Sequence, residues 1–214
     1  MNAKSELSLV LFLIVLTIGS FFVVHDQFAP VPAMPERVAE IFAQQPEVFV
    51  LGSRTQTEGC QVNGPLPDPE CTPGSVFPDA GLEKICVSGY SKTVRSVSTS
   101  LKKKVYAAYG IPYPPPRGSY EADHLIPLAI GGNNDIANLF PESGEPRPGF
   151  REKDVVEVYL RDAVCAGQIG LAAAQVQVAK DWLSIYEGLT PAERRRISEK
   201  YRNTWAGQPD FGDN

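Results

Sequence analysis

Residues 120–142 read YEADHLIPLAIGGNNDIANLFPE, and this stretch decides the fold of the chain. Apolar side chains alternate over residues 125–129, a Gly131-Gly132 pair follows, and a second short apolar run occupies residues 136–140. Alternation with a period of two is typical of a strand with one buried face, and a glycine pair between two such runs is typical of a hairpin. The sequence therefore predicts a β-hairpin that carries the pair Asp123-His124.

The hairpin also carries the histidine best suited to acid-base chemistry. The chain has two histidines, and the other one, His25, abuts a long apolar segment near the N-terminus. A neutral imidazole with a pKa of about 6.5 accepts a proton from water at neutral pH. His124 is therefore a candidate general base. Strand alternation sends His124 and Asp123 to opposite faces of the sheet unless the pairing is locally distorted.

Several further motifs accompany this pair. They are Leu-Ile-Pro-Leu directly after His124, Asn138-Leu139, Lys153-Asp154-x-x-Glu157, Val164-Cys165-x-Gly167, and Ala174-Gln175 with Asp181-Trp182. Together, over residues 60–186, these motifs resemble the HNH endonucleases, and specifically a bacterial extracytoplasmic branch of that family. The resemblance implies a ββα-metal fold and metal-dependent cleavage of DNA or RNA, with DNA favoured and little sequence specificity.

The resemblance also implies roles for three residues of the hairpin. Asp123 would ligate the metal ion while His124 faces the attacking water, which requires the strand distortion mentioned above. Asn138 would bridge backbone groups across the hairpin and orient His124, a task suited to an amide that both donates and accepts hydrogen bonds.

The helix after the hairpin departs from the family pattern. Many members place a second histidine there as a metal ligand, and this chain has none. Asp154 and Glu157 share one helix face, so one or both are predicted to complete the metal site with Asp123, and Lys153 is predicted to contact phosphate. An oxygen-rich site favours Mg²⁺ or Mn²⁺.

Two alternatives to that metal site stay open. The charged residues of this helix also fit a salt-bridged surface helix. The missing histidine, in turn, is compatible with a non-catalytic nucleic-acid-binding protein on the same scaffold.

The net charge of −5 argues against a protein that coats nucleic acid by bulk electrostatics. The distribution of charge is uneven, because residues 84–117 contain seven cationic side chains and no Asp or Glu. This segment is either a solvated helix face or a phosphate-binding surface. The residues predicted to bind nucleic acid there are Lys92, Arg95, Lys102, Lys103 and Lys104.

The four cysteines show no Cys-x-x-Cys pair and no neighbouring histidine, which disfavours a zinc site. Two disulfides fit better, and free buried thiols are the alternative. The sequence leaves three pairings open. We favour Cys60 with Cys71, which would close a proline-rich loop, and Cys86 with Cys165, which would tie the region before the hairpin to the helix after it.

Residues 7–24 contain no charged side chain, a length between that of a signal-peptide core and a membrane span. No small-residue cleavage site follows closely, so an uncleaved anchor is favoured over a cleaved signal peptide or a buried helix. Lys4 before the run and Asp26 after it place the N-terminus in the cytoplasm. The rest of the chain would then be extracytoplasmic.

The expected architecture is α+β, with a ββα core surrounded by helices at residues 101–109, 150–166, 171–186 and 190–205. The predicted division is residues 1–30 as membrane anchor or signal segment, 31–70 as stalk and Pro/Gly-rich linker, 71–188 as nuclease domain, and 189–214 as C-terminal helix and tail. The expected partners are nucleic acid and, through the N-terminal segment, a membrane. The sequence gives no indication of a protein partner.

Overall fold

The structure, a computed structural model, describes residues 32–44 and 51–205. Within these ranges it contains seven α-helices and one two-stranded antiparallel sheet, so the predicted mixture of helices with a hairpin is confirmed. The strands are β1 (Tyr120–His124) and β2 (Leu139–Ser143). The helices are α1 (Glu36–Ala43), α2 (Leu82–Ile85), α3 (Tyr90–Val94), α4 (Thr99–Ala108), α5 (Phe150–Cys165), α6 (Leu171–Gly188) and α7 (Pro191–Trp205).

The strands do not lie where apolar alternation placed them. Strand β1 directly precedes the first predicted run, and β2 overlaps only the end of the second run and continues to Ser143. The chain between the strands forms two short 3₁₀ turns, Leu128–Ile130 and Ile136–Asn138. Every side chain of residues 125–130 is buried, so this run has no solvent-facing side. Pro127 also lacks the N–H that a strand ladder uses. The prediction of a strand at residues 125–129 is therefore wrong.

The glycine pair forms a turn, but it ends the 3₁₀ turn Leu128–Ile130 and does not join the two strands directly. Gly131 has a φ of 85°, which strongly favours glycine. A Cβ on Gly132 would lie 1.8 Å from the carbonyl oxygen of Ile126. Any side chain at Gly132 would push the two ends of the loop apart.

One hydrophobic core joins the hairpin loop to the helices. Helix α5 packs on α6, α7 and the 3₁₀ turn Leu128–Ile130. The largest side chains buried in this core are Trp182, Phe140, Leu160, Ile126 and Ile130. Helix α5 therefore lies against the hairpin, in the chain order strand, strand, helix.

The N-terminal helix α1 and the C-terminal helix α7 belong to the same compact unit. This compact unit begins at Met34. Val38 of α1 is fully buried and α1 packs on α6, while α7 packs on α5. Helix α1 was predicted to lie in a stalk, but its apolar face is covered by the folded domain.

Both predicted disulfides are confirmed, Cys60–Cys71 and Cys86–Cys165. The second bond links α5 to the chain just after α2 and closes a loop with a sequence separation of 79. Disulfides persist in oxidising compartments, which is consistent with the predicted extracytoplasmic location. The apolar run at residues 7–24 lies outside the described residues. None of the helices within residues 32–44 and 51–205 is long and apolar enough to cross a membrane.

Candidate active site

Asn138 holds the loop between the two strands. Its side-chain nitrogen donates to the carbonyl oxygens of Ile126 (3.0 Å) and Asn133 (2.9 Å). Its oxygen accepts from the backbone N–H of Ile126 (2.9 Å) and of Ser75 (3.3 Å). The backbone N–H of Leu125, next to His124, donates to the carbonyl oxygen of Asn138 at 2.8 Å. Asn138 therefore lies where the resemblance places it, bridging backbone groups across the hairpin.

The His124 ring is held by Asn134, a residue that sequence reasoning missed. His124 is 2% exposed, and its Nε2 lies 3.1 Å from Oδ1 of Asn134. The orientation of this amide is fixed, because its Nδ2 donates to the carbonyl oxygen of Val94 (2.8 Å) and its Oδ1 accepts from the N–H of Ser96 (3.1 Å). An acceptor therefore faces the ring, so Nε2 carries the proton and Nδ1 carries the lone pair.

The environment keeps this imidazole neutral. Burial lowers the pKa of His124 to about 4, and the nearby positive charge of Arg95 contributes in the same direction. The negative charge of Asp123 acts against this shift but does not overcome it. At neutral pH the ring is in the form that accepts a proton.

We expect an NMR titration of the chain to show one histidine that stays neutral until the pH falls to about 4. Its ¹⁵N shifts should report a single tautomer protonated at Nε2. Asn134→Ala should mix the two tautomers, because the acceptor that fixes Nε2–H is gone. The signal of His124 is assigned by its absence from the spectrum of His124→Gln. A midpoint at the ordinary histidine pKa, or a proton on Nδ1, would contradict this description of the ring.

Asp123 and His124 point to opposite faces of the hairpin. The register is continuous, with Asp123 opposite Phe140 and His124 opposite Leu139. No extra residue interrupts the pairing within the strands, so the expected distortion is not seen. Directly opposite residues share a face in an antiparallel pair, which puts Asp123 on the face of Phe140 and Glu142.

Lys153 of α5 lies beneath this face and is fully buried. Its Nζ donates to Oδ2 of Asp123 at 2.7 Å, to the carbonyl oxygen of His124 at 2.7 Å, and to Oε1 of Glu157 at 2.6 Å. The prediction that Lys153 contacts phosphate is wrong, because its ammonium group is enclosed by these three oxygens. A one-turn spacing along α5 brings Glu157 to the same ammonium.

The charges of this cluster stabilise one another. Burial alone would lower the pKa of Lys153, but the carboxyl groups of Asp123 and Glu157 reverse the effect and raise it above its usual range. Burial would likewise raise the pKa of Asp123, yet the positive charge of Lys153 holds it well below its usual range. Asp123 and Lys153 therefore form a buried ion pair.

Glu142 is a second residue that sequence reasoning missed. It is fully buried, and neither of its oxygens accepts a hydrogen bond from the residues that the structure describes. Burial raises the pKa of Glu142 well above its usual range, and the negative charges of Asp123 and Glu157 act in the same direction. The strand register contained the signal, because Glu142 lies two residues from the partner of Asp123 on the same face.

The predicted metal ligands are only partly brought together. Asp123 and Glu157 meet, but they meet at the ammonium of Lys153. Asp154 lies near both, and burial followed by the charge of Glu157 raises its pKa well above the usual range. Within residues 32–44 and 51–205, no group of three or more His, Cys, Asp or Glu side chains is placed to hold a metal ion. An ammonium between the two carboxyl groups does not fit a divalent ion that they share.

The predicted basic surface stands beside the hairpin, since α4 contacts both β1 and β2. Lys92, Arg95, Lys103 and Lys104 are exposed, and Lys102 is half-buried. Arg95 lies between the two backbone groups that Asn134 holds. The residue that fixes the histidine ring therefore also fixes the strongest candidate for a phosphate contact close to it.

Comparison with known proteins finds no match among protein-family models, curated proteins or solved structures.

Proposed function

We propose that this chain hydrolyses phosphodiester bonds of nucleic acid outside the cytoplasm, on an HNH-like ββα core. The observation that carries the proposal is the state of His124. It is a neutral imidazole whose Nε2–H is fixed by Asn134, so that Nδ1 carries the lone pair. The order hairpin then helix, with an asparagine clamping the hairpin, supports the same reading.

The chemistry needs only a few steps from these residues. Nδ1 of His124 accepts a proton from water as the water oxygen attacks phosphorus. The phosphorus–oxygen ester bond then breaks, and the departing oxygen takes a proton from solvent. Arg95, which is exposed and close enough to His124 to affect its pKa, would stabilise the negative charge that develops on the phosphate.

Binding would depend on the basic segment and not on base-reading groups. Each phosphate contact from a lysine releases counterions, so affinity falls as salt rises and depends little on sequence. The two disulfides support action in an oxidising compartment. Attachment to a membrane through residues 7–24 completes the proposal.

The test is degradation of duplex DNA, single-stranded DNA and RNA by the purified full chain, each with EDTA and with added Mg²⁺. Appearance of cleaved products that depend on His124 supports the proposal. Intact substrates under all conditions would overturn it.

A second candidate function is non-catalytic binding of nucleic acid on the same scaffold. One observation favours it: His124 is only 2% exposed, so water must reach Nδ1 through a nearly closed surface. The degradation assay separates the two candidates, because a binding protein retards the substrate in a gel without shortening it.

We expect Lys103→Ala and Lys104→Ala each to weaken nucleic-acid binding about equally for all sequences. Each should also reduce the slope of log affinity against log salt by about one, as for a lost phosphate contact. Lys180→Ala, an exposed lysine on α6, is the matched control and should leave the slope unchanged. If the slopes of all three variants equal that of the wild type, the basic face of α4 does not bind the backbone.

A further inference from the structure

The ammonium group of Lys153 donates three hydrogen bonds, one for each of its hydrogens. Its three acceptors come from the side chain of Asp123, the backbone of His124 and the side chain of Glu157, all within 2.7 Å. Two of these belong to β1 and one to α5, so a single cation joins the strand to the helix. The lysine side chain is fully buried, whereas those of Asp123 and Glu157 are 19% and 22% exposed.

These contacts are the ones that a bound cation would make. Carboxylate and carbonyl oxygens converging on one point are the ligands that Mg²⁺ and Ca²⁺ prefer in proteins. Here the same oxygens converge on Nζ of Lys153. A divalent ion placed between Asp123 and Glu157 would have to displace the ammonium or bind beside a like charge in a poorly solvated site.

We propose that the ammonium of Lys153 is the permanent cation of this carboxylate cluster and occupies the position that a divalent metal ion would otherwise hold. The cluster is then assembled by folding, without a metal. In addition, if the proposed function holds, cleavage by this chain does not require a divalent ion at this site.

Binding of Mn²⁺ to the full chain, followed by electron paramagnetic resonance, tests this directly without any assay of activity. Mn²⁺ serves as the probe because its coordination preferences resemble those of Mg²⁺. The wild type should show no stoichiometric site at micromolar Mn²⁺. Lys153→Met should gain a Mn²⁺ site, because the carboxyl groups of Asp123 and Glu157 then face one another without a cation between them. Lys180→Met should behave like the wild type.

The wild-type result decides the matter even if Lys153→Met does not fold. One tightly bound Mn²⁺ per wild-type chain that is lost in Asp123→Asn would overturn the proposal. Thermal unfolding gives a second readout, since the wild-type midpoint should be the same in EDTA and in Mg²⁺. The degradation assay tests the proposed function separately. If the wild type binds no Mn²⁺ and also cleaves no substrate, the role of Lys153 as the cation is supported and the proposed function is contradicted.

Discussion

Lys153→Met should lower the free energy of unfolding by about 3–5 kcal/mol, the usual loss when one partner of a buried ion pair is removed. The reason is that Asp123 keeps its charge next to the carboxyl group of Glu157, while the carbonyl oxygen of His124 loses its donor. Methionine fills nearly the same volume, so the change reports on charge and hydrogen bonds more than on a cavity. Denaturant unfolding monitored by circular dichroism measures the difference.

Two variants make the result specific. Lys180→Met removes an exposed lysine from α6 and should change the free energy of unfolding by no more than about 0.5 kcal/mol. Lys153→Met combined with Asp123→Asn and Glu157→Gln should recover part of the loss, because the uncompensated charge is removed together with its partner. A single variant as stable as the wild type would show that the ammonium contributes little to the fold.

His124→Ala should reduce the rate of phosphodiester cleavage by about 10²–10⁴, the usual loss when a general base is removed. Affinity for nucleic acid should stay nearly unchanged, because the cationic groups proposed to bind the backbone lie on α3, α4 and the loop between them. Single-turnover cleavage gives the rate, and a filter-binding or gel assay gives the affinity.

Added imidazole provides the control for the loss of His124. A small imidazole that enters the space left by the ring should restore part of the rate in His124→Ala and have no effect on the wild type. Retention of more than about a tenth of wild-type activity by His124→Ala would assign the base to another group.

The helical part of the fold follows closely from the sequence. The apolar positions predict helices at residues 150–166 and 171–186, and a capping-box pattern that begins at Thr190 predicts one at 190–205. The structure has Phe150–Cys165, Leu171–Gly188 and Pro191–Trp205. The cysteine pairing was also predicted, because one bond closes a proline-rich loop and the other ties the region before the hairpin to the helix after it. These features depend on residues close in sequence or on covalent chemistry.

The hairpin was harder to place, because residues 125–130 are buried on all sides and periodicity does not separate such a run from a strand. The position of α1 was also missed. The predicted stalk, residues 31–70, includes α1, but the partner that buries Val38 lies on α6, far along the chain. Packing between distant segments decided both cases.

In the candidate site, too, some features follow from the sequence and others depend on packing between distant segments. The motif identified His124, Asp123 and Asn138, whereas the roles of Asn134 and Lys153 depend on which backbone and carboxyl groups the fold brings beside them. A lysine in the first turn of a helix reads as a solvent-exposed residue in sequence. Only the meeting of β1 with α5 shows that it is an interior cation.

The most direct test of the proposed function is a time course of a labelled oligonucleotide, duplex and single-stranded, incubated in EDTA with the full-length wild type or with His124→Ala. We predict that shortened products accumulate with the wild type, and that His124→Ala binds the same oligonucleotide but leaves it intact. Intact oligonucleotide in both reactions, with Mg²⁺ as well as with EDTA, or equal cleavage by both proteins, would contradict His124-dependent hydrolysis.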